Sequence, residues 1–191
     1  MTQRRPRVYL AGPEVFLPNA RAIGAEKCRL AAAAGLEGAF PLDAQLNLDR
    51  LPPPEQARRI SQANEGLMRS CDALVANLTP FRGVSMDSGT AFEVGFMQAL
   101  GRPLAGYTNV TSDYSKRAQA FRVRGPAPMD CDGPDLEIED FGLAENLMIE
   151  VAIVMSGCRV VRREVAPGAE LTDLAAFAES LTDIAGVLAR K

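Results

Sequence analysis

The chain contains no histidine and no tryptophan. Without histidine there can be no Ser-His-Asp triad, no Cys-His pair and no zinc site built on histidine. Any general acid or base must therefore be a carboxylate, a lysine, a tyrosine or a cysteine. This absence favours carboxylate-driven reactions, with glycosyl chemistry first among them.

Cysteine, basic charge and long apolar runs are also scarce. The four cysteines lack CxxC spacing, which predicts buried structural thiols instead of a metal or redox site: Cys28, Cys71, Cys131 and Cys158. A net charge of -3 gives no basic footprint for nucleic acid. No apolar run approaches the ~20 residues that span a bilayer, and the first residues lack a signal-peptide core. We expect a cytoplasmic protein without nucleic-acid or membrane partners.

The chain has the size and composition of one globular domain, predicted to cover residues 1–191. Strands and helices alternate along it. The predicted strands are 7–11, 38–42, 73–78, 102–107 and 158–161. The predicted helices are 19–35, 55–71, a helix ending at residue 100, 141–156 and 171–188, with loops at 46–54 and 108–135. This order predicts a single-domain, doubly wound α/β fold, flavodoxin-like or Rossmann-like, with about five parallel strands and helices on both faces.

Residues 87–96 are the most informative segment. Asp87 and Glu93 stand six residues apart across a Gly-Thr turn, where a loop after a buried strand passes into a helix. Ligands of such folds bind beyond the carboxyl ends of the strands. The helix N-terminus should favour ionisation of Glu93, which suits a nucleophile that attacks an anomeric carbon. By position alone, Asp87 is equally suited to cap the helix.

Helical geometry also predicts which face of this helix meets the sheet. Phe92, Phe96, Ala99 and Leu100 fall on one side and are expected to pack inward. Glu93 lies about 100° round from Phe92, at the boundary between the core and the crevice.

Three segments, in this order, resemble the nucleoside 2-deoxyribosyltransferase family. Residues 8–13 resemble its first strand and substrate loop, residues 87–103 its core motif, and residues 145–149 its Asn-Leu-Met segment. The resemblance extends over roughly residues 7 to 155.

The resemblance implies specific roles. Glu93 would attack C1′ of a 2′-deoxynucleoside and form a covalent deoxyribosyl-enzyme, and Asp87 would hold the sugar hydroxyls. Tyr9 would tune the nucleophile through a hydrogen bond, and Asp72 would contact the base and move its proton. Asn146 would reach into the neighbouring subunit, which implies a homodimer or larger oligomer.

Four further positions are expected to bind substrate, namely Gly12, Pro13, Ser88 and Gly89. The resemblance implies nucleosides and nucleobases as partners, a role in nucleoside salvage, and neither metal nor cofactor. The chemistry agrees, since a retaining exchange needs one carboxylate nucleophile and one proton donor.

Alternatives remain on the same fold. In hydrolases of nucleoside 5′-monophosphates, Ser typically occupies the place of Asp87, whose charge would repel a phosphate. A cytokinin-activating phosphoribohydrolase would carry a Pro-Gly-Gly run, which is missing here. A non-catalytic nucleotide-binding module would need no nucleophile. An oxidoreductase is disfavoured because no GxGxxG follows the first strand.

Two features depart from well-known transferases. The chain ends without an aromatic tail, and residues 108–140 have no clear counterpart. Base preference and the balance between transfer and hydrolysis therefore stay open.

Overall fold

The structure is a computed structural model that describes residues 4–43, 46–124 and 136–190. Its centre is a five-stranded, all-parallel sheet in the order β2-β1-β3-β4-β5. The strands are β1 (Arg7–Ala11), β2 (Glu37–Ala39), β3 (Ala73–Asn77), β4 (Leu104–Thr108) and β5 (Val160–Arg162). This confirms the predicted α/β fold class and the flavodoxin-like strand order.

Six helices surround the sheet in the described residues: α1 (Ala20–Ala33), α2 (Pro53–Arg69), α3 (Ser88–Ala99), α4 (Tyr114–Arg124), α5 (Leu147–Met155) and α6 (Ala175–Leu188). Helices α1 and α6 pack together on one side, and α3 and α5 pack together on the other. β1, β3 and β4 are almost wholly buried between these layers, which explains why they read as continuous apolar runs.

The strand register decides which side chains reach which layer. Tyr9 pairs with Leu74, whereas Asn77 pairs with Tyr107 three positions further along β3. Side chains alternate along a strand, so Tyr9 faces α3 while Asn77 and Tyr107 face α1 and α6. Tyr107 accordingly packs against Phe177 of α6. The carboxyl edge of the sheet thus receives polar groups from both sides.

Glycines end two helices as the sequence suggests. Gly35 has φ +79° after α1, and the amide of Leu36 bonds the carbonyl of Ala31. Gly101 has φ +67° after α3, and the amide of Arg102 bonds the carbonyl of Met97. Residues with a Cβ adopt this left-handed backbone at a cost, so glycine is the natural cap here.

The predicted loop at 108–135 is wrong in part, because α4 occupies residues 114–124. This helix is polar and mostly exposed, so it lacks the apolar periodicity by which sequence analysis finds helices. Its Arg117 side chain binds the carbonyls of Val84 and Ala144 instead. Residues 125–135, with the predicted buried Cys131, lie outside the described ranges.

The helix predicted at 141–156 begins six residues later, where Asn146 caps α5. The predicted inner face of α3 is also wrong. Thr90, Val94 and Met97 face the sheet, while Phe92 is 57% exposed. The inward-facing residues follow helical spacing, at i, i+4 and i+7 from Thr90. The prediction instead chose the stripe that carries the aromatic residues.

Cys71 and Cys158 are buried, and burial raises the pKa of both thiols to about 11. Both therefore stay protonated near neutral pH, as structural thiols do. In the described ranges, no group of three or more Cys, Asp or Glu side chains is arranged to hold a metal ion. No helix in those ranges combines the length and apolar content that crossing a bilayer requires.

Candidate active site

Tyr9 and Glu93 meet at the centre of the site. Tyr9 is fully buried in the middle of β1, and its hydroxyl donates a hydrogen bond of 2.5 Å to Oε1 of Glu93 on α3. The pair joins residues 84 positions apart in sequence, so the fold itself assembles it. The short bond fixes the carboxylate and leaves its other oxygen for a reactant.

Burial raises the pKa of Glu93 to about 7. This pKa is a net value in which burial is the largest contribution. The Tyr9 hydrogen bond and the positive charge of Lys27 lower the pKa, and the negative charge of Asp87 raises it. The expectation that the helix N-terminus favours ionisation of Glu93 does not fit the position of this residue in α3. Glu93 is the sixth residue of α3, beyond the first turn, where the helix dipole acts weakly and burial dominates.

Asp87 caps α3. Its Oδ2 accepts bonds from the backbone amide of Thr90 (3.0 Å) and from the Thr90 hydroxyl (3.3 Å). A Cβ at Gly89 would lie 2.9 Å from that oxygen, so glycine leaves room for the capping carboxylate. Ser88 and Gly89 are exposed in the first turn of the helix. Asp87 therefore has the structural role and still lies close enough to act on Glu93.

Gly12 and Pro13 follow β1 at the same edge and are buried. A Cβ at Gly12 would stand 2.0 Å from Oε2 of Glu14 and 2.9 Å from Cβ of Asn77. Because Gly12 has an extended backbone, space alone demands glycine here. Gly12 and Pro13 thus allow the chain to fold Glu14 back into the protein.

Glu14 and Lys27 form a fully buried ion pair that the sequence analysis missed. Oε1 of Glu14 accepts from Lys27 Nζ (2.8 Å), Asn77 Nδ2 (3.1 Å) and Tyr107 Oη (2.8 Å). The ammonium group also lies 4.8 Å from the ring centroid of Phe177. The loop after β1 is thereby tied to α1, β3 and β4 beneath the crevice.

A signal for this pair exists in the sequence. The buried positions of α1 are Ala20, Gly24, Lys27 and Ala31, which follow helical spacing. A lysine on such a stripe must find a buried anion, because an unpaired buried charge is too costly. The nearby acid with no other assigned role was Glu14.

Asp72 does not join the site. It precedes β3, so the length of that strand, roughly 16 Å, separates it from the carboxyl edge. Its carboxylate binds the Arg4 side chain (2.9 Å) and the Arg7 amide (2.8 Å). It also lines an open concavity with Arg102 at that opposite edge. The expected contact with the base does not fit this position, and Asp72 has no part in the function proposed below.

Asn146 lies at the start of α5. Its Oδ1 accepts from the amide of Met148 (3.0 Å), and its Nδ2 donates to Glu139 at 3.1 and 3.2 Å. Within this chain, Asn146 therefore acts as a helix cap.

Glu145 is a second buried acid that the sequence analysis did not assign. It accepts from the Ser85 hydroxyl (2.7 Å) and from the amide of Met86 (2.9 Å), the residue before Asp87. Arg117 lies 3.6 Å from the same carboxylate. Glu145 thus fixes the loop that precedes Asp87. It also accepts a hydrogen bond from the backbone amide of Asn146.

Similarity to known proteins identifies the family of the chain. The sequence profile of the nucleoside 2-deoxyribosyltransferase family matches residues 8–148. The chain belongs to this family. It is 35% identical over 167 residues to an uncharacterised protein of Schizosaccharomyces pombe, covering 80% of this chain and 79% of that protein.

Solved structures agree as well. A 2-deoxyribosyltransferase from Leishmania mexicana is 32% identical, with a TM-score of 0.56, over 75% of this chain and 85% of that one. A conserved protein from Enterococcus faecalis shares the fold at 17% identity, with a TM-score of 0.57, over 93% and 98% of the two chains. Family membership supports an enzyme of the glycosyltransferase or N-glycosidase type.

Proposed function

We propose that the protein transfers a 2-deoxyribosyl group between nucleobases through a covalent intermediate on Glu93. The observation that carries the proposal is the hydrogen bond from Tyr9 to a half-buried Glu93 at the carboxyl edge of the sheet. A free oxygen of Glu93 attacks C1′, and the C1′–N bond breaks with its electron pair on the leaving base. A second base then attacks C1′ and releases the carboxylate.

Asp87 would orient the sugar. Both bonds from Thr90 fall on Oδ2, and Oδ1 has no bond within the described residues. Oδ1 can accept a hydrogen bond from a sugar hydroxyl while Oδ2 keeps the helix capped. Gly12 and Pro13 after β1, and Ser88 and Gly89 in the first turn of α3, would supply backbone groups to the bound sugar.

The test is a chromatographic assay of purified protein with deoxyinosine plus adenine. Deoxyadenosine should form only when both are present. Hypoxanthine release without deoxyadenosine would indicate an N-glycoside hydrolase instead. Saturable binding without base release would indicate a nucleotide-binding module.

The pH profile should follow the ionisation of Glu93. Only the carboxylate form of Glu93 attacks C1′. A plot of kcat/KM against pH should therefore have a rising limb with its midpoint at about pH 7, and activity should be lost at more acidic pH. Tyr9→Phe removes a bond that favours the charged form, so the limb should move to higher pH. A limb at the same pH in both proteins would show that Tyr9 does not tune the nucleophile.

Replacing Asp87 should alter substrate choice without unfolding the helix. Ser and Asn are also good caps, so Asp87→Ser and Asp87→Asn should unfold within about 1 kcal/mol of wild type. Both should turn over deoxyinosine more slowly, and Asp87→Ser should handle deoxyinosine monophosphate better. An unchanged ratio of kcat/KM for the two substrates would contradict the proposed charge repulsion.

The site would be completed by a second copy of the chain. Helices α3 and α5 contact each other and expose five large apolar side chains, which we call the apolar face: Phe92, Met148, Val151, Val154 and Met155. Patches of this kind mark association surfaces. The face adjoins both Glu93 and Asn146, so an identical subunit seated there could exchange Asn146 between sites.

Val154→Glu should therefore convert the oligomer to monomer in sedimentation velocity and reduce turnover. Val123→Glu is the matched control, because Val123 is an exposed apolar residue on α4, outside this face. Wild-type sedimentation of Val154→Glu would exclude the face as the interface.

A further inference from the structure

Two loops at the carboxyl edge carry a stacked group of three side chains, which we name the Arg82 cluster: Phe16, Phe81 and Arg82. The rings of Phe16 and Phe81 stack with centroids 5.4 Å apart and planes inclined by 11°. The guanidinium carbon of Arg82 lies 4.8 Å and 4.6 Å from these centroids. Phe16 follows β1 and Phe81 follows β3, which are neighbouring strands. The cluster therefore joins the two loops that flank the crevice.

Arg82 is held by aromatic rings instead of by an acid. Within residues 4–43, 46–124 and 136–190 it makes no ion pair and no hydrogen bond, and its side chain is exposed. Its φ of 56° is left-handed, which is uncommon outside glycine and recurs at functional sites. A planar cation that never loses its charge is thus kept in place with its N–H groups available to a ligand.

The loop that carries Phe16 is itself fixed. Glu14, two residues earlier, is bound by Lys27, Asn77 and Tyr107. On the other side, the amide of Phe81 bonds the carbonyl of Ser85 in a tight turn (2.9 Å). The cluster is therefore pre-organised and costs little further ordering when a ligand binds.

The proposed reaction needs a group of this kind. When an oxygen of Glu93 bonds to C1′, the electron pair of the C1′–N bond passes to the base, which becomes negatively charged. Asp72, the expected proton donor, lies at the opposite edge of the sheet, and the chain has no histidine. A fixed guanidinium can stabilise the developing anion through hydrogen bonds without giving up a proton.

We propose that Arg82 is a catalytic residue that binds the departing nucleobase as an anion, with Phe16 and Phe81 as the aromatic wall beside it. The released base takes its proton from water. In the second half-reaction the acceptor base loses a proton to water, attacks C1′, and the electron pair of the C1′–O bond returns to Glu93. This proposal rests on the proposed function.

The dependence on the leaving group tests the proposal. Deoxyinosine must release an anionic base, whereas 7-methyl-2′-deoxyguanosine already carries a positive charge in its base and releases a neutral one. Arg82→Gln should lower kcat/KM about 100-fold for deoxyinosine and less than about threefold for the methylated nucleoside. Arg82→Lys should give an intermediate loss, because it keeps the charge without the planar fork.

Arg69→Gln is the matched control. Arg69 stacks on Phe96 at 4.9 Å, but it ends α2 just before β3, on the amino side of the sheet. Neither substrate should respond to this change. Equal losses for both substrates in Arg82→Gln, or a loss confined to deoxyinosine monophosphate, would overturn the proposal.

Glu93→Gln separates the two levels of inference. If Glu93→Gln is inactive on both nucleosides while Arg82→Gln lowers kcat/KM equally for both, the proposed role of Arg82 fails and the proposed function stands. If Glu93→Gln turns over both at wild-type rates, the proposed function fails.

Discussion

Glu93→Gln should abolish transfer and stabilise the protein at the same time. Loss of the nucleophile should lower kcat about 10⁴-fold or more. Burial raises the pKa of Glu93 from 4.5 to about 7, so between these values the folded protein holds a proton that the unfolded chain has lost. Stability therefore falls as pH rises through this window, and above it the buried charge costs about 1–3 kcal/mol.

The neutral amide of Gln does not carry this cost and can still accept the Tyr9 bond. Urea unfolding at pH 8 should show the variant to be more stable by about 1–3 kcal/mol, with the difference disappearing near pH 4.5. Residual transfer at more than about a tenth of the wild-type rate would remove Glu93 from the nucleophile role. Equal stability at both pH values would show that burial of the Glu93 charge does not destabilise the protein.

Lys27→Met should have the largest effect on stability. It leaves the carboxylate of Glu14 buried and without its cation, and breaking a buried pair in this way costs about 3–5 kcal/mol. Because Lys27 also lowers the pKa of Glu93, the rising limb of the pH profile should move to higher pH. Urea unfolding and a pH series of kcat/KM measure the two effects separately.

The double variant Glu14→Gln, Lys27→Met is the control. A glutamine keeps an oxygen for Asn77 and Tyr107 and removes the unpaired charge, so most of the lost stability should return. A double variant as unstable as Lys27→Met would show that the lysine matters for packing and not as the partner of Glu14.

The sequence was sufficient to predict the sheet, because five apolar runs alternate with helical segments and parallel strands in this order have few arrangements. It also indicated the Asp87–Glu93 segment as the candidate site, since a Gly-Thr turn after a buried strand is a local pattern. It did not yield the ionisation state of Glu93. That depends on how deeply α3 buries the carboxylate, and burial is a property of the tertiary packing.

The remaining errors have related causes. Phe92 was expected inside because it shares a helical stripe with Phe96, Ala99 and Leu100, yet its side chain is 57% exposed. Asp72 was placed in the site by resemblance, although a residue that precedes a parallel strand lies at the wrong edge of the sheet. Helix α4 was missed because its apolar periodicity is weak. It is attached through hydrogen bonds from Arg117 to backbone carbonyls, which no apolar pattern reveals.

The most direct test of the central claim is an intact-mass measurement on protein quenched with acid during turnover of deoxyinosine without an acceptor base. We expect a species heavier by one deoxyribosyl group, with the added mass on the peptide that contains Glu93, and no such species in Glu93→Gln. Transfer to adenine by a protein that never carries this mass, or carries it on another residue, would contradict the account.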